Sequence, residues 1–140
     1  MGLRILVDTN VLLDYLLCRS PYDQAAEQII AACKQRRVSG CVAAHSISNM
    51  FFILRKAFSV AERRKLLLSI CELFEVEGID KGKILNALAD ETFSDFEDCL
   101  QKECAVVFQA DYIVTRNCAD FKSSGIPCIE PVEFCKMLSE

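Results

Sequence analysis

Short apolar runs alternate with helical patterns along almost the whole chain, and this alternation most restricts what it can fold into. Leu3-Arg4-Ile5-Leu6-Val7, Val38-Ser39-Gly40-Cys41-Val42 and Tyr112-Ile113-Val114 read as strands. Glu75-Val76-Glu77 and Pro127-Cys128-Ile129 read as shorter extended pieces. Between them, apolar residues recur three and four positions apart. Val11, Leu12, Tyr15 and Leu16 mark one helix. Ala25, Ala26, Ile29, Ile30 and Cys33 mark a second within 22–36, with Pro21 suited to its first turn. A third carries Met50, Phe51, Ile53, Leu54 and Phe58. Ser59 with Glu62 forms a capping box for a fourth. Further helices are predicted from about Asp80 to Ala89, from a second capping box at Ser94-Asp95-Phe96-Glu97 to about Phe108, and from Pro131 to Leu138. Strands separated by helices pair in parallel, with helices covering both faces of the sheet. The expected architecture is a three-layer α/β fold with a short central parallel sheet of four or five strands. With no repeat and no linker rich in Pro, Gly or Ser, residues 1–140 are expected to form one domain.

Composition narrows the function. Half of the residues are apolar, yet no run approaches the roughly 18–20 residues of a membrane span. The first apolar segment is interrupted by Asp8 and has no basic leader before it, so the expected location is the cytoplasm, with no membrane partner. Nine cysteines form no C-x-x-C pair and mostly fall at apolar positions, which suits reduced, small core residues. Zinc is disfavoured, since ligand spacing is missing and His45 is the single histidine, read as a polar neighbour of a helix cap. The net charge of −4 weighs against a simple nucleic-acid binder. It weighs less against an enzyme whose clustered carboxylates are neutralised by metal ions. The basic groups Lys34-Arg36-Arg37, Arg55-Lys56 and Arg63-Arg64-Lys65 read as solvated helix faces.

The carboxylates are the informative feature. Asp8-Thr9-Asn10 stands where the first strand gives way to a helix. Asp8 there is either a helix N-cap or a group facing a ligand at the carboxyl end of the sheet. Thr115-Arg116-Asn117, followed by Asp120, ends a later strand in a similar way. Asp95 and Asp98, three apart, share one face near a helix N-terminus. One acidic residue there complements the helix dipole; a third is less easily explained. Carboxylates from separate segments, with Asn and Thr oxygens nearby, make a hard, oxygen-only donor set suited to Mg²⁺ or Mn²⁺. A haloacid-dehalogenase-type phosphotransferase would need a second Asp at position 10, where Asn10 stands, and no Gly-rich loop follows the first strand to bind a nucleotide.

Three blocks, ILVDTNVLLDYLL, SDFEDCLQKECA and ADYIVTRNCADF followed by IPCIEPVEF, together resemble the PIN-domain family, in particular the bacterial group similar to VapC-type toxin ribonucleases. The resemblance implies metal-dependent cleavage of RNA with Mg²⁺ or Mn²⁺, a small antitoxin as partner, and a homodimer. By position, Asp8 matches the first acidic ligand and Asp98 the acidic residue opening the third motif. Asp120 is the nearest carboxylate to the last motif, which here reads Thr115-Arg116-Asn117 where the family often has Thr-Arg-Asp. Asp95 is an additional candidate. In SISNMFFILRK, Asn49 stands about where the family has glutamate, giving a neutral ligand and an expected loss of metal affinity. Asn10, Thr115, Arg116 and Asn117 are the expected substrate contacts, with Arg116 on the RNA backbone. The rival expectation is a catalytically silent PIN domain that binds RNA or protein.

Overall fold

The computed structural model describes residues 2–140. Five strands, β1 (Leu3–Val7), β2 (Val38–Ala43), β3 (Glu75–Glu77), β4 (Tyr112–Val114) and β5 (Cys128–Ile129), form one parallel sheet in the order β3-β2-β1-β4-β5. Seven helices flank it: α1 (Thr9–Leu16), α2 (Asp23–Lys34), α3 (Ala44–Ile53), α4 (Val60–Leu73), α5 (Lys81–Ala89), α6 (Phe96–Phe108) and α7 (Pro131–Leu138). The central strand is buried on both faces, so its side chains alternate between two cores. Ile5 and Val7 join Leu12, Ile29, Met50 and Phe134 on one side. Leu6 joins Cys104, Ala105, Phe108 and Phe121 on the other. Five cysteines are buried, Cys118 and Cys128 are half-buried, and Cys18 and Cys71 are exposed. Among the described residues, no helix is long and apolar enough to cross a membrane.

From β1 the chain first builds outward through β2 and β3. It then returns to the other side of β1 for β4 and β5. The carboxyl ends of β1 and β4 therefore flank the point where the winding reverses, the usual crevice for ligands in open α/β sheets. The end of α6 is pinned at the opposite edge. The Arg4 guanidinium donates twice to the Phe108 carbonyl, at 3.0 and 2.8 Å, and lies 4.0 Å over the Phe108 ring. That anchoring sends the N-terminus of α6, with its acidic residues, to the carboxyl edge.

Three local expectations are corrected. Pro21 lies in the turn before α2, which starts at Asp23. The third helix stops at Ile53 and continues only as a 3₁₀ turn over Leu54–Lys56, short of Phe58. The cap of α6 is Asp95, whose carboxylate accepts from Asp98 N at 2.9 Å, and not Ser94 with Glu97. Aspartate at the N-cap also complements the helix dipole. The Ser59–Glu62 capping box of α4 forms as expected.

Gly40 is where β2 needs a missing side chain. A Cβ at this position would stand 2.6 Å from two ring carbons of the buried Phe74. Gly40→Ala is expected to cost about 2 kcal/mol through overpacking, lowering the melting temperature by roughly 7 °C. A thermal melt unchanged within a degree would contradict this packing.

Candidate active site

The carboxyl ends of β1, β2 and β4 and the start of α6 enclose a pocket of about 550 Å³. Its walls include Asp8, Asn10, Asn49, Asp95, Glu97, Asp98, Asn117 and Asp120, and among the described residues no Lys or Arg side chain lines it. Seven of the nine residues singled out from sequence thus reach one space.

Asp8 is the best-held of them, 4% exposed. It is the N-cap residue of α1 by backbone position, its carbonyl accepting from Val11 N at 3.0 Å, but its carboxylate caps nothing. Instead Oδ2 accepts from the buried Thr115 Oγ1 at 2.8 Å and Oδ1 from Gln101 Nε2 at 3.0 Å. Two neutral donors offset only part of the cost of burying a carboxylate. Thr115 also accepts from Asn117 N at 3.0 Å, so one hydroxyl both shapes the turn after β4 and orients Asp8. Gln101 also lines this pocket, a position that the sequence does not flag. It lies three residues after Asp98, on the same face of α6. Its Oε1 is buried without a partner.

Asp98 is half-buried, and its carboxyl is pushed up to about 7. Burial is the main cause, followed by the charges of Asp95, Asp8, Asp120 and Glu97. Asp120 stands on an exposed 3₁₀ turn, Cys118–Phe121. His45, in the first turn of α3, reaches across to α6, where Nε2–H donates to the Glu97 carbonyl at 3.2 Å. A carbonyl can only accept, so the neutral ring leaves Nδ1 as a bare acceptor, buried and unpartnered. Burial lowers the imidazole pKa and favours this neutral form. Thr9 Oγ1 donates to the buried Ser46 Oγ at 2.7 Å and ties α1 to α3.

Arg116 is placed elsewhere. Its guanidinium grips Asp14 with Nε–Oδ2 at 2.7 Å and a second contact at 3.2 Å, and it stacks 4.0 Å from the Tyr22 ring. Asp14 is 1% exposed, with Arg19 as a second partner at 3.4 Å. Arg116 and Tyr22 line a separate pocket of about 310 Å³ that meets the acidic one at Asn117.

The donor set fits a hard divalent cation: its carboxylates and amides make it oxygen-rich and strongly anionic, and Gln101 Oε1 is unpartnered. Among the described residues, no three His, Cys, Asp or Glu side chains are gathered closely enough to hold an ion as they stand. Burial first, and the neighbouring carboxylates second, raise the Asp98 pKa.

The raised Asp98 pKa has a pH signature. The Asp98 pKa is higher folded than unfolded, so the folded state binds the proton more tightly. Without metal, its contribution to stability is full below about pH 4 and is lost as pH rises through about 7. Asp98→Asn is expected to remove that decline and stabilise the metal-free protein at pH 8 by about 1 kcal/mol, after discounting for partial exposure. Melts in EDTA across this range check it. Parallel curves for the two proteins would contradict it.

A family model described as PIN domain matches residues 4–119. No curated protein matches the sequence significantly. Among solved structures, the fold resembles a chain of FitAB bound to the IR36 DNA fragment, with TM-score 0.69 and 15% identity over 91% of this chain and 94% of that one. A chain of a toxin-antitoxin complex from Klebsiella pneumoniae superposes with TM-score 0.67 and 21% identity, over 91% and 97%. A chain of VapBC2 from Rickettsia felis, bound to a fragment of its promoter DNA, gives 0.64 and 14%, over 91% and 98%. A parallel α/β sheet with an acidic crevice where its winding reverses, and a family match over most of the sequence, place this chain in the PIN-domain family.

Proposed function

We propose that the protein is a metal-dependent endoribonuclease, acting in the cytoplasm as the toxin of a toxin–antitoxin pair, with a small antitoxin protein as partner and a homodimer as its assembly. The observation that carries the reading is the pocket lined by Asp8, Asp95, Glu97, Asp98 and Asp120 without a cationic side chain. Asp8, Asp98 and Asp120, with Asp95 and Asn49, would hold Mg²⁺ or Mn²⁺. The bound ion supplies positive charge to a phosphodiester in transit and makes water a stronger nucleophile at neutral pH. The chain's own contribution is positional. Thr115 and Gln101 fix both oxygens of Asp8 before any ligand arrives. His45 fastens α3, which carries Asn49, to the start of α6, which carries Asp98. Asn10 and Asn117 offer uncharged polar groups at the rim for a phosphate or sugar oxygen. The likeness to chains of toxin–antitoxin complexes supports the proposed partner.

The test is cleavage of a fluorescent RNA by the purified protein in Mg²⁺ or Mn²⁺, with EDTA as control. Cleavage that appears with the ions and stops with EDTA supports the reading. A specific observation favours the alternative of a silent PIN domain that binds RNA or protein: Asn49 and Asn117 supply no charge to the pocket. RNA binding without metal-dependent cleavage would select it.

A further inference from the structure

Phe52 is a large apolar side chain left in water at the edge of the acidic pocket. It closes the last turn of α3 and is 62% exposed, yet it lines the same space as Asp98 and Asn49. The Arg55 guanidinium lies 3.7 Å from its ring centroid and donates to its backbone carbonyl at 2.9 Å. Ring and carbonyl together hold the guanidinium in place, while its remaining N–H groups stay available. A pocket lined by carboxylates repels a polyanion, so a nucleic-acid strand needs cations and apolar contacts at the rim to hold it there.

We propose that Phe52 and Arg55 form a subsite for single-stranded RNA, in which an unpaired base stacks on the Phe52 ring face opposite the Arg55 guanidinium and Arg55 pairs with an adjacent phosphate. The assignment rests on the nuclease reading for the identity of the strand. It adds the residues that would hold an unstacked base and its phosphate beside the pocket, Phe52 and Arg55. Duplex RNA keeps its bases stacked and is a poor fit. Aromatic stacking tolerates any base, so Phe52 selects single strands without selecting sequence.

The chain has no tryptophan, so Phe52→Trp creates a unique fluorescent reporter. Stopped-flow mixing with a single-stranded RNA of about ten nucleotides in Mg²⁺ is expected to quench that tryptophan before turnover, and duplex or abasic RNA to quench it little. In steady-state cleavage, Phe52→Leu is expected to raise KM about tenfold with kcat within about twofold. Arg55→Gln is expected to reduce the salt dependence of binding by roughly one unit of log–log slope. If wild type cleaves but the tryptophan stays silent and Phe52→Leu keeps its KM, the subsite is overturned and the nuclease reading stands. If RNA binds and quenches without cleavage, the subsite stands and the nuclease reading fails. If Phe52→Leu shifts the sedimentation profile to a smaller species while the tryptophan ignores RNA, Phe52 is a subunit contact and the subsite is overturned.

Discussion

Asp8→Asn is expected to lower metal-dependent RNA cleavage by at least about 10²-fold while leaving the protein folded. The substitution keeps the shape of a side chain that sits buried between Thr115 and Gln101. An asparagine amide facing Gln101 Nε2 would set donor against donor. Gln101 relieves this by rotating its own amide, which brings its unpartnered Oε1 to face the new NH₂ group. Packing and hydrogen bonding therefore survive. The negative charge does not, and with it goes the ligand positioned most firmly before metal arrives. Cleavage rates alongside thermal melts check both halves. Activity within a few-fold of wild type would remove Asp8 from the site.

Arg116→Gln is expected to have the largest effect on stability, about 3 kcal/mol, or roughly 10 °C in melting temperature. The buried Asp14 relies on the two Arg116 contacts, and Arg19 alone, at 3.4 Å, compensates poorly. The loss falls in the lower part of the usual range because the Arg116 side chain is a quarter exposed and partly screened. The loss comes chiefly from leaving a carboxylate unpaired rather than from losing an attraction. Asp14→Leu combined with Arg116→Met should therefore recover much of it. Additive losses in that double variant would contradict the account. So would an Arg116→Gln melt that matches wild type.

Arg116 also shows where sequence stops being informative. Thr115-Arg116-Asn117 was legible as a strand end facing a site, because an apolar run ending in polar residues marks the carboxyl edge. What each residue points at was not legible. Thr115 turns inward to Asp8, and Arg116 turns away to Asp14, 102 residues distant, a pairing that exists only because β4 lies beside β1. Asp14 itself reads as an ordinary polar position of α1. Gln101 carries little signal in the sequence because it is an uncharged residue in a helix, although its spacing from Asp98 is a clue. The strands and helices were easier to read, since each is a local pattern of apolar spacing. Asp95 as the cap of α6, in place of Ser94, was a contest between two good capping residues one position apart.

The most direct test of the central claim is a count of bound Mn²⁺ by electron paramagnetic resonance, with Mg²⁺ as competitor. Wild type should bind Mn²⁺ in a way that Mg²⁺ displaces, Asp8→Asn and Asp98→Asn should lose that binding, and Asn49→Glu should bind more tightly, by roughly 1–3 kcal/mol. Mn²⁺ binding that is equal in all four proteins, or absent from wild type, would contradict the claim that these carboxylates form a metal-dependent active site.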